Sequence, residues 1–159
     1  MAEVSSIDDA RLYERDFCAW LERQAVLLRA GRLGRLDADH LAEEIEAMGR
    51  SERQAVRSNL IVLLAHLLKA QTRPERISNS WRSTIREHRR RLRLAFEDSP
   101  SLKRYARETL DRCYAEARQE AADESRLPLE TFPEHCPFSF DELLTIGFLP
   151  RPHPPPGAA

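Results

Sequence analysis

Lysine is nearly missing from this 159-residue chain: two lysines stand beside 23 arginines. Cysteine is scarce too, with Cys18, Cys113 and Cys136 far apart. There is no CxxC pair and no disulfide framework, so a reducing cytoplasmic setting is expected. Glycine occurs only five times, which excludes a glycine-rich phosphate loop. Long apolar runs are lacking as well. The longest, LIVLLAHLL (60–68), has nine residues and a histidine, whereas a membrane span needs ~18 or more. The first residues, MAEVSSIDDARLYE, are acidic rather than apolar, so no signal peptide and no membrane partner are expected. An excess of one charge is also missing. The formal net charge is −1, whereas a dedicated nucleic-acid binder carries a basic bias.

What is present suits one helical domain over 1–150. The composition is 42% hydrophobic and 32% charged, enough for one core. Phe17, Trp20, Leu21, Gln24, Leu27 and Leu28 keep helical spacing and predict a helix over 14–30, ended by Gly31 and Gly34. Asp37 is placed to cap a second helix, with Leu36 and Leu41 as a hydrophobic staple and Leu41, Ile45 and Met48 as its buried stripe. At MGRSERQ two readings stay open. Gly49 ends that helix and Ser51 with Gln54 caps a new one, or one kinked helix runs on to about Thr72. In the second case Glu52 and Asn59 fall near the centre of the stripe.

Residues 60–68 are apolar on every side of a helix, the pattern of a buried central element. Pro74 breaks the loop QTRPERISNS, and Ser78, Asn79 or Ser80 caps the arginine-rich helix that ends at EDSP. Ser99–Pro100 opens the next helix, which turns Leu102, Ala106, Leu110, Cys113, Ala117 and Ala121 inward. The Pro- and Phe-rich remainder predicts a C-terminal strap with one short helix, boxed by Ser139 and Glu142. Phe132, Phe138, Phe140 and Phe148 anchor it. Residues 151–159 are expected to be a disordered tail. The fold class is therefore all-α, a four- or five-helix bundle around a central apolar helix.

These same stretches carry a resemblance. DFCAWLERQAVLLRAGRL, LAEEIEAMGRSER, LLAHLLKAQTRPERISNSWRSTIREHRRRL, DSPSL and LPLETFPEHCPFSFDELL resemble, in order and over about residues 12–150, a bacterial family catalogued as domain of unknown function 29. The resemblance implies an all-helical fold and brings no catalytic residues with it. The family often has Trp after HLLK; Ala70 stands there, which is expected to thin one edge of the core.

Three candidate sites remain. Six arginines crowd Arg82 to Arg93, and Arg82, Arg86, Arg89 and Arg93 form a stripe beside an apolar arc of Trp81, Ile85, His88, Leu92, Ala95 and Phe96. Such a stripe can grip an anion or a nucleic-acid backbone. It can equally border a packed face and pair with Glu108, Asp111 and Glu116 of the following helix, which is the expectation here. Glu43, Glu44 and Glu46, with His66 and Glu87, are the second candidate. Glu43 and Glu46 make an ExxE similar to that of the helical nucleotide pyrophosphohydrolases, but the later ExxD is missing. No Glu-x-x-His spacing occurs, and on one helix Glu44 and His66 stand ~33 Å apart. The third, Glu134, His135 and Cys136 in PEHCPF, reads as a turn, because adjacent residues seldom meet catalytic geometry.

No catalysis, metal or cofactor is expected. The chain reads as a protein-interaction or regulatory domain whose partner is another protein or a second copy. Arginine-mediated anion or nucleic-acid binding is the alternative, and a metal-dependent hydrolase on EEIE comes third. His66 and Trp81 are assigned to the core. His66 is expected to bond to another helix, through Arg82, Ser83, Tyr13 or Glu14, since its own backbone groups are used.

Overall fold

The computed structural model describes residue 9 and residues 11–152. The expected tail from 153 onward lies outside them. Among the described residues every regular element is a helix, so the chain is all-α. It divides into two compact units after Ser51.

In the first unit, residues 11–15 are helical and α1 spans Phe17–Arg29. The expected 14–30 helix begins later because the Asp16 carboxylate accepts from the Ala19 N–H and caps it. Its end is a Schellman motif. Gly31 (φ +65°) donates to Leu28 O and Arg32 to Leu27 O. Trp20, Gln24 and Leu27 are buried, whereas Phe17, Leu21 and Leu28 are exposed.

The next helix, α2, runs unbroken over Ala38–Thr72, about 52 Å at 1.5 Å per residue. Helical bonding continues through Gly49, and Gln54 reaches Ser58 Oγ instead of closing a capping box. Leu41 is half-buried, but Ile45 and Met48 are 66% and 69% exposed. The predicted stripe fails there because the bonds and ring contacts from the preceding residues reach only to Glu44.

The second unit is built on the apolar half of α2. Leu60, Leu63, Leu64, Leu67 and Leu68 are buried. Around them pack α3 (Asn79–Asp98), α4 (Pro100–Glu108) and α5 (Leu110–Ser125). Ser78 caps α3 by accepting from the Trp81 N–H. Pro100 opens α4 in the first turn, where its missing N–H costs nothing. The single helix expected after Ser99 is two, broken at Thr109, whose hydroxyl donates to Tyr105 O. The inward set survives the break: Leu102, Ala106, Cys113, Ala117 and Ala121 are buried and Leu110 packs beside them.

The C-terminal stretch adds Phe132, Phe138 and Leu143 to this core. Its short helix α6 (Phe140–Leu144) has the full capping box, Ser139 and Glu142 each bonding the other's backbone N–H. Phe140 stacks on Phe96. Tyr114 donates to Pro133 O, and burial pushes its phenol up to about 12.

Candidate functional site

The arginine helix α3 needs its charges satisfied while one side packs. Four of the six arginines do this, in two different ways. Arg89 is only 4% exposed. Its Nε donates to Leu143 O at 2.8 Å and its Nη2 to Phe148 O at 3.1 Å. Arg93 reaches Leu144 O at 3.4 Å. Leu143 and Leu144 end α6, so these guanidiniums meet the carbonyls that a helix terminus leaves unpaired. Gly147 (φ +79°) lets the chain turn from Thr145 to Phe148, whose N–H bonds Thr145 O. That turn brings the Phe148 carbonyl back to Arg89. Arg90 and Arg91 both clasp Glu87 on their own helix and hold its carboxyl at about 2.

Arg82 and Arg86 behave differently. Both are exposed, and among the described residues neither meets an acidic partner. The expected pairing with Glu108, Asp111 and Glu116 does not form. Glu116 takes Arg57 and Arg112 instead. The reason is that α3 turns its arginines toward α6 and the residues after it, not toward α5.

Beside this stripe lies a groove of about 420 Å³. Arg82, Arg86, Arg90 and Arg93 line it together with Leu94, Ile146 and Leu149. Leu94 is 45% exposed and Ile146 74% exposed. Glu97 is the one carboxylate among its lining residues. Cationic and apolar surface therefore meet in a single concavity. The apolar wall after α6 escaped sequence reasoning because the strap was read from its phenylalanines, and nothing in the local pattern marks Ile146 as left uncovered.

The acidic candidate disperses. Glu44 accepts from the Tyr13 hydroxyl, Glu46 pairs with Arg50, and Glu43 is exposed. Asp37 does not cap α2 with its carboxylate. That group accepts from Trp20 Nε1 at 3.1 Å and bonds His40 Nδ1 at 2.8 Å, while its backbone N–H donates to Gln24 Oε1. Tyr13 stacks on His40 with ring centroids 4.1 Å apart. This aromatic and polar cluster ties α1 to the start of α2. Among the described residues no group of His, Cys, Asp and Glu is arranged to hold a metal ion.

His66 is half-buried, and its Nδ1 donates to Val62 O of its own helix at 2.9 Å. None of the expected partners reaches it. The carbonyl four residues back accepts a second donor, which is why no other helix is needed. Trp81 is half-buried and meets the His66 ring edge-on. The histidine that joins two helices is His88, whose Nδ1 donates to Asn59 Oδ1 at 2.8 Å. Asn59 was visible as a polar residue in the apolar stripe; His88 was on the inward arc.

The turn candidate shows no shared site geometry among its described side chains beyond the Cys136 Sγ contact to Phe138 O. Glu134 and His135 are exposed, and burial pushes the Cys136 thiol up, away from the reactive thiolate.

A family model matches residues 12–149, in agreement with the resemblance carried by the motifs. No curated protein and no solved structure matches the chain. The chain belongs to the family described as domain of unknown function DUF29.

Proposed function

We propose that this chain is a non-catalytic protein-interaction domain, and that the groove along α3 takes an acidic, amphipathic segment of a partner protein. The observation that carries the reading is the coincidence of exposed Leu94 and Ile146 with Arg82 and Arg86 in one 420 Å³ groove. Covering an exposed Leu or Ile side chain contributes about 1.5–3 kcal/mol. An exposed ion pair contributes about 0–1 kcal/mol. The apolar wall therefore supplies most of the affinity, and the arginines set orientation and select against basic partners.

Nucleic acid fits less well. A phosphate backbone has no use for an apolar wall, and base stacking needs an open aromatic ring. Phe148, the aromatic residue of the groove, is half-buried with its ring edge-on to Phe138. A hydrolase on EEIE is supported least, since Glu44 and Glu46 have partners already.

Affinity capture from cells with three versions of the chain tests the proposal. The wild type is expected to retain a protein that both Arg82→Glu/Arg86→Glu and Ile146→Asp lose. Identical captures by all three would overturn it.

A further inference from the structure

We propose a second, separate ligand site in the second unit. It is a cavity of about 180 Å³ bounded by Lys69, Arg73, Arg76, Trp81, Glu124 and Ser125, and it takes a small phosphomonoester dianion. It shares no residue with the α3 groove.

Lys69 is 4% exposed, a rare state for a lysine. Its ammonium pairs with Glu124 and lies 4.9 Å from the centre of the Trp81 ring. Glu124 itself is largely in solvent, its side chain 55% exposed. A tie between α2 and α5 accounts for that pair and for the ring contact. It does not account for Arg73 and Arg76. Both face the same cavity, and among the described residues neither forms an ion pair. Three cations and one carboxylate thus line the cavity, a formal surplus of two positive charges among its lining residues. Trp81 stands in the first turn of α3, at the positive end of the helix dipole.

A dianion neutralises this surplus and a monocarboxylate leaves half of it. Guanidiniums bind phosphate oxygens in a two-pronged fashion, and Ser125 offers a hydroxyl at the edge. The cavity is smaller than the ~300–1,000 Å³ of sites for drug-sized ligands. It suits a phosphate with a few carbons and is too small for a nucleotide. The indole face supplies the apolar wall for those carbons.

Calorimetric titration of the full chain with inorganic phosphate and with glycerol phosphate tests this, with acetate as control. Saturable binding with Kd below about 1 mM is expected for the phosphates and at least tenfold weaker binding for acetate. Tighter binding of the ester than of inorganic phosphate would identify the carbon wall as part of the site. Binding should weaken as pH falls through about 6, where the monoester takes up its proton. Arg73→Gln and Arg76→Gln, at residues outside the packed core, should each weaken binding about tenfold. Arg82→Gln/Arg86→Gln should leave it unchanged. No saturation by either phosphate, insensitivity to the substitutions at 73 and 76, or binding of a phosphoserine peptide alone would overturn the proposal.

Discussion

His88 and Asn59 hold α3 to α2 through one bond, and Asn59 Nδ2 donates to Ala55 O, which leaves its Oδ1 free to accept. Removing either side chain strands a half-buried polar group, so His88→Ala and Asn59→Ala should each cost about 1–2 kcal/mol by urea unfolding. The double variant should cost less than their sum, the signature of a coupled pair. His66→Ala should cost less than His88→Ala, because its carbonyl partner keeps its helical bond. A larger loss at His66 would contradict the assignment. Arg89 is a buried charge held by two carbonyls. Arg89→Met should cost about 2–4 kcal/mol, since it strands two carbonyls near the core. Arg89→Lys should recover little, because an ammonium cannot reproduce the planar fork. From sequence the stripe was visible but its division of labour was not. All four members read alike, and only the position of the Leu143 and Phe148 carbonyls separates Arg89 from Arg82.

At the scale of elements, termini signalled by local chemistry were legible. Ser78 before α3, Ser99–Pro100 before α4, the Ser139/Glu142 box and Gly31 after α1 all act through neighbours within a few residues. Ser139→Ala should therefore cost about 1 kcal/mol. Gly31→Ala should cost about 1 kcal/mol through its backbone alone, because an added Cβ at that position meets nothing within 4 Å. Thermal unfolding checks both; no shift in Tm for Gly31→Ala would mean the Schellman turn is not held in solution. Signals that depend on distant partners were not legible. Asp37 has the sequence of a cap, but its carboxylate goes to Trp20 and His40. Gly49 has the sequence of a stop, yet α2 continues, and the apolar run beyond it supplies the burial that one glycine opposes by only about 1 kcal/mol. Ile45 and Met48 have core spacing and no cover, since periodicity defines a face but not what packs on it.

For the whole molecule, the buried titratable groups set a pH range. Burial lowers the His66 and His88 values below the ordinary 6.5. The unfolded chain then binds more protons than the folded one near pH 6, so their contribution is complete above 6.5 and shrinks as pH falls. Glu87, held at about 2, adds a loss in the same direction below 4.5. Burial raises Cys113 and Cys136 above 9.0 and Tyr114 to about 12, so stability declines again at alkaline pH. Tm should be flat between about pH 7 and 8.5 and fall on both sides; a maximum below pH 6 would contradict these environments. The proposed function rests on the mixed groove along α3. The most direct measurement is fluorescence anisotropy at ~150 mM salt with a labelled helical peptide, Glu on one face and Leu on the other, against a labelled DNA duplex. Saturable peptide binding is expected, weakened at least about tenfold by Ile146→Asp and by Arg82→Glu/Arg86→Glu, with DNA no tighter than ~10⁻⁶ M. Submicromolar DNA binding, or peptide binding indifferent to Ile146, would contradict the proposed function.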